Sequence, residues 1–108
     1  MSVEVPIAQL FDELERWGTG YLLTVSEGER PHLLALRPEA VDQRRVIRFD
    51  AGGGRACGNA ASRPSVTVLF PPTPHSDGMS LVVDGTATVD GDIVEVTPTW
   101  AVLHRRAP

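Results

Sequence analysis

Lysine is absent from this sequence: all ten basic residues are arginine, so arginine stands wherever a side-chain cation beyond histidine is needed. Cysteine occurs once, as Cys57, which excludes an intrachain disulfide and argues against a cysteine-based zinc site. No apolar run approaches the roughly 20 residues of a membrane-spanning helix, because Glu, Arg or Asp interrupts every candidate. The N-terminal Met1-Ser2-Val3-Glu4-Val5 carries no basic stretch followed by an apolar one, so a secretory signal is not expected. Taken with the lone cysteine, this makes the reducing cytoplasm the expected compartment. Aromatic residues are only 6% of the chain, and a core of this size needs most of them. A net charge of −4 argues against a general nucleic-acid binder.

What is present suits one modest domain over residues 1–108, with a 42% hydrophobic and 22% charged composition. At this length roughly 65% of the unfolded surface is buried on folding. Pro6 suits the first position of a helix, and Ile7, Leu10, Phe11, Leu14 and Trp17 then recur at helical spacing, with Asp12, Glu13, Glu15 and Arg16 between them. Gly18 is the expected stop. From Tyr21 the period changes to that of strands. Tyr21–Val25 and His32–Leu36 read as a hairpin closed through Gly28, and Arg37–Arg44 as an irregular connection. Arg45–Phe49 and Ser65–Phe70 are further strands, and Pro71–Gly78 an exposed loop.

Two Asp-Gly pairs need different readings. Asp90-Gly91 lies between alternating segments and marks a tight hairpin, whereas Asp84-Gly85 comes too soon before it to be a second one. Asp84-Gly85 is therefore expected to be a bulge bending one long strand from Met79 to Val89, with a partner at Ile93–Val96. Residues from Pro98 read as a short docked segment with a basic tail. The sum is an α+β, mainly β, barrel-like domain of about six antiparallel strands. It has an N-terminal helix and one short helix between the third and fourth strands.

That short helix follows Gly52-Gly53-Gly54 and begins at Arg55, ending before Pro64. Glycines there permit positive φ or a close ligand approach, a helix N-terminus offers unpaired N–H groups, and Arg55 adds a donor fork suited to phosphate or carboxylate. Gly53, Gly54 and Arg55 are thus candidate anion contacts. Asn59, one turn on, shares the face of Arg55. His32 is a candidate at the start of its strand, against the alternative of a half-buried histidine that contacts no ligand. Cys57 reads as a space-filling thiol, and no His/Asp/Glu spacing suggests a metal site.

The order of elements resembles the flavin split barrel of the pyridoxamine 5′-phosphate oxidase-like family, whose members bind FMN or the deazaflavin F420. The likeness is sharpest at Tyr21–Val25 leading into Gly28-Glu29-Arg30-Pro31-His32, and over Arg55–Phe70. The family's phosphate motif runs Ser-Arg-Lys, a Gln three residues on, then Asn-Pro. Set on Pro64, its Arg falls on Arg55, its Gln on Asn59 and its Asn on Arg63, while Gly54 and Ala56 stand at its Ser and Lys. The resemblance implies an FMN-binding, or alternatively F420-binding, homodimer with the cofactor between subunits. The activity implied is that of an oxidoreductase acting on a small molecule. The alternative is a non-catalytic split barrel whose flavin site is lost or weakened.

Overall fold

The computed structural model describes residues 2–106. In chain order these form β1 (Ser2–Glu4), α1 (Ile7–Glu13), β2 (Gly20–Val25), β3 (Pro31–Leu36), β4 (Glu39–Val41), β5 (Val46–Asp50), α2 (Gly54–Ser62), β6 (Ser65–Phe70), β7 (Met79–Asp90) and β8 (Ile93–Arg105). The strands make one eight-stranded sheet in the order β3-β2-β6-β7-β8-β5-β4, with β1 added to β8. Every pairing is antiparallel. Strand β8 is the hub. It runs beside β7 for its whole length, beside β5 from Ile93 to Val96, and beside β1 from Val102 to His104. Among the described residues β3 and β4 do not pair with each other, so the curled sheet stays open on that side. This is the α+β split barrel that the resemblance implies, with eight strands rather than about six, the short β1 and β4 being additional.

Alternation along the strands sets the core. Leu22, Phe49, Val68, Leu81, Val83, Val94 and Val96 turn inward and are essentially solvent-free. The α1 segment adds Leu10, Phe11, Leu14 and Trp17, and the Trp17 ring lies tilted against Phe70 with centroids 6.3 Å apart. The smaller side chains Ala56, Cys57 and Ala60 bring α2 close to the sheet.

Several boundaries differ from the sequence reading. Pro6 caps α1 from outside the helix rather than starting it. A 3-10 turn, Leu14–Arg16, follows the helix, and extended Trp17 (φ −115°) breaks it before Gly18. The Trp17 Nε1–H donates to Glu13 Oε2 at 2.8 Å, which holds the ring over the core. The connection Arg37–Arg44 contains β4, paired with β5 through a turn closed by left-handed Arg45. The stretch from Pro98 is no separate docked segment but the second half of β8.

The bulge falls where Asp84-Gly85 suggested, with the extra residue on the other strand. Asp84 faces Trp100 and Gly85 faces Pro98, leaving Thr99 without a partner in the ladder. The Thr99 hydroxyl donates to the Asp84 carbonyl instead, at 3.2 Å. A Cβ on Gly85 would lie 2.5 Å from Val96 Cγ1 and 2.6 Å from the Thr97 carbonyl oxygen, so only glycine fits there. Pro98 is tolerated because the ladder is already broken at that point.

Candidate functional site

Helix α2 is launched by three consecutive left-handed glycines, Gly52 (φ 66°), Gly53 (φ 80°) and Gly54 (φ 73°). With ψ −152°, Gly53 occupies a region of backbone space essentially closed to other residues. The loop is bracketed by acids. The Ala51 N–H donates to the Asp92 carbonyl at 2.9 Å, and the Gly52 N–H donates to Asp50 Oδ1 at 3.3 Å. A Cβ on Gly53 would lie 3.1 Å from Asp92 Oδ1, whereas Gly54 faces open space.

A pocket of about 490 Å³ opens between α2 and the β2–β3 hairpin, lined by Ser26, Arg30, Pro31, His32, Arg55 and Asn59. It therefore brings together Arg55, Asn59 and His32 of the sequence candidates, while Gly53 and Gly54 are not among its lining residues. Asn59 is anchored, its Nδ2 donating to Thr24 Oγ1 at 3.2 Å, with Thr24 fully buried on β2 opposite His32 of β3. His32 alternates inward with Leu34 and Leu36, and its Nδ1 is shielded from solvent without a hydrogen-bond partner. Buried polar atoms are ordinarily paired, so such an orphan asks for a partner the protein itself does not supply.

The arginines divide into those with partners and those without. Arg16, Arg44, Arg45, Arg48 and Arg105 pair with carboxylates, and Arg63 donates to the Glu27 carbonyl. Among the described residues Arg30, Arg37, Arg55 and Arg106 have no side-chain partner; of these Arg30 and Arg55 share a pocket, and no carboxylate lines it. A second hollow of about 450 Å³, between β1 and α1, is lined by Glu4, Asp12 and Glu13 and has the wrong sign for an anion. The pair of groups with shifted pKa values lies elsewhere on the sheet. The Arg44 guanidinium holds the Glu95 carboxyl below the usual carboxylate range by a two-pronged hydrogen bond, and Glu95 in turn raises Arg44.

The cysteine, the other histidines and the tryptophan and tyrosine side chains fall outside the pocket. Cys57 is buried toward the core, in keeping with a space-filling thiol. His75 is exposed in the Pro-rich loop, and His104 Nδ1 meets the Ser2 hydroxyl at 2.9 Å. Trp17 serves the core, but Tyr21 and Trp100 stand exposed on the sheet's outer face with Leu33 and Leu69. No group of three His, Cys, Asp or Glu side chains able to hold a metal occurs among the described residues, and none of their helices is long and apolar enough to cross a membrane. Arg30 and Ser26 are pocket residues that motif spacing missed. Their signal was the hairpin itself, which sets Ser26 beside Arg30, two residues before His32.

The fold is that of the pyridoxamine 5′-phosphate oxidase-like split barrels. Solved structures sharing it include an F420 reductase (TM-score 0.66, 19% identity, 82% of this chain and 91% of that one). They also include an FAD-binding protein from Mesorhizobium loti (0.73, 14%, 95% and 96%) and a candidate pyridoxamine 5′-phosphate oxidase from Listeria innocua (0.71, 15%, 93% and 98%). No family model matches the sequence. The chain belongs to the same family as uncharacterized proteins of Mycobacterium bovis and Mycobacterium tuberculosis, each 37% identical over 96% of this chain and 82% of the relative.

Proposed function

We propose that this protein binds a flavin-type cofactor, FMN or alternatively F420, with the cofactor phosphate in the α2–hairpin pocket, and acts as an oxidoreductase on a small molecule. The observation that carries this reading is the pair of unpartnered guanidiniums, Arg30 and Arg55, in a pocket without carboxylates. Uncompensated cations lining one pocket repel, and an anion bound between them turns that repulsion into charge-assisted hydrogen bonds. Arg55 is the principal phosphate contact and Asn59 the supporting one, with the open Cα of Gly54 leaving room beside them. Gly53 sets the loop conformation, and the orphan His32 Nδ1 meets the cofactor further along. A bound flavin would supply the redox chemistry, and the chain supplies orientation and electrostatics. The rival is a non-catalytic binder, favoured by Gly54 and Ala56 at the Ser and Lys positions of the phosphate motif.

The resemblance further implies a homodimer. The exposed side chains of Tyr21, Leu33, Leu69 and Trp100 on one sheet face support a second copy as the occupant of that face. The reducing cytoplasm suits the protein's single thiol. Sedimentation velocity followed at the cofactor's visible absorbance tests cofactor and dimer together. FMN or F420 should sediment with a species of about twice the 11.7 kDa chain mass. Absence of co-sedimentation with either at tens of micromolar would remove the cofactor reading, and a strictly monomeric species would remove the dimer.

A further inference from the structure

We infer that the β2–β3 hairpin supplies the two phosphate-binding groups that α2 lacks: Arg30 as the second cation and the Ser26 hydroxyl as the second neutral donor. The inference rests on the phosphate reading of the pocket and adds where its missing ligands come from. Position 56 cannot provide a cation, because Ala56 is 1% exposed and packed in the core, so a long charged side chain there would be driven into apolar surroundings. Position 54 cannot easily provide a hydroxyl, because its φ of 73° is strained for any residue with a Cβ. Whatever completes the anion site must come from across the pocket. The side chains facing α2 there are Ser26, Arg30 and His32.

The hairpin is built to hold those groups still. The Ser26 N–H donates to the Arg30 carbonyl at 3.0 Å, the Glu29 N–H to the Ser26 carbonyl at 2.9 Å, and the Arg30 N–H to Ser26 Oγ at 3.1 Å. Arg63, from the residue after α2, donates to the Glu27 carbonyl at 3.0 Å and ties the hairpin to the helix. The backbone of Arg30 is therefore fixed while its guanidinium is unspent. Glu27 and Glu29, the nearest acids in sequence, do not line the pocket and form no ion pair with it among the described residues. Ser26 Oγ is already an acceptor, so its own O–H is left to donate toward the pocket. A planar fork from the hairpin facing Arg55 on the helix gives an oxyanion donors from two sides, which a single arginine cannot do.

The test compares ligands that differ only in the phosphate. Wild type, Arg30→Ala, Arg30→Lys and Ser26→Ala are titrated with FMN and with riboflavin by flavin fluorescence, and with inorganic pyrophosphate by NMR of the arginine Nε–H signals. Arg30→Ala should weaken FMN and pyrophosphate about tenfold or more and leave riboflavin unchanged, with Arg30→Lys recovering part of the loss. Ser26→Ala should cost a few-fold with the same selectivity. Pyrophosphate should shift the Arg30 and Arg55 signals together. FMN affinity unchanged in Arg30→Ala, or an equal loss for FMN and riboflavin, overturns the inference while leaving the flavin reading intact. If wild type binds no flavin, that reading fails alone, and the pyrophosphate arm still decides: a shift at Arg55 without one at Arg30, or no shift at either, overturns the hairpin's role.

Discussion

The two ends of the same short segment make opposite use of their residues. The glycine loop Gly52–Gly54 is conspicuous in sequence, and its glycines meet a backbone need first: all three have positive φ, and Asp50 and Asp92 stand beside Gly52 and Gly53. Directly after it, on the outer side of α2, Arg55 and, one turn on, Asn59 face a pocket whose other wall is a hairpin from much earlier in the chain, and here the charge is uncompensated. The loop shapes the helix entry; in the proposed reading the side chains beyond it carry recognition. A glycine cluster ahead of a helix is thus evidence of a tight turn first, and of an anion site only where the surrounding charges agree.

The sharpest break in that comparison is expected at Arg55. Arg55→Ala removes a charge-assisted contact worth roughly 1.5–3 kcal/mol, so FMN affinity should fall tenfold or more by fluorescence titration. Because the side chain is exposed and without partners in the protein, thermal stability should change by no more than about 0.5 kcal/mol. An unchanged affinity would move the phosphate away from this pocket altogether.

Gly53→Ala should do the reverse. A Cβ forced into φ 80°, ψ −152° and toward Asp92 Oδ1 should cost roughly 1–3 kcal/mol of folding stability, read from denaturant unfolding. The folded fraction should bind FMN within about twofold of wild type, since in this reading the loop is scaffold rather than ligand contact. A variant of full stability with lost binding would reverse the assignment and return the phosphate to the loop.

How legible these two regions were follows from their physics. The strands with clean alternation, such as Ser65–Phe70, and the stripe Leu10, Phe11, Leu14, Trp17 announce themselves because burial on one face imposes a period. The bulge was visible as Asp84-Gly85, because a position where Val96 and the Thr97 carbonyl crowd the backbone admits only glycine. Strand β4 and the far half of β8 were not. Glu39–Val41 is too short and too exposed to show a period, and Pro98 conceals a strand that only the bulge makes possible. Arg55, Asn59 and His32 could be picked from type and position, but their convergence with Arg30 depends on the β2–β3 register and on the tie from Arg63 to Glu27. Contacts between residues far apart in the chain leave no periodic trace.

The smallest expected effect concerns the arginines that do have partners. Arg44 and Arg48 share Glu95 across β5 and β8, at 2.5 Å for the closest Arg44 contact and 3.8 Å for Arg48, so this patch is the neutralised counterpart of the pocket. The Arg44 hydrogen bond is the main cause holding Glu95 below its ordinary pKa. A carboxyl whose pKa is lowered by folding stabilises the fold above its unfolded value and loses that contribution as pH falls through the folded value. Wild type should therefore lose a little stability in that acidic interval relative to Glu95→Gln, whose own stability should lack this component at every pH. The pair is solvent-exposed, so salt should erase much of the difference. Flavin affinity should be the same in both proteins, because Glu95 touches neither wall of the pocket. A Glu95→Gln variant with altered cofactor binding would mean that the paired and unpaired arginines are electrostatically coupled through the sheet, and that the pocket's charge is set by the whole surface rather than by Arg30 and Arg55.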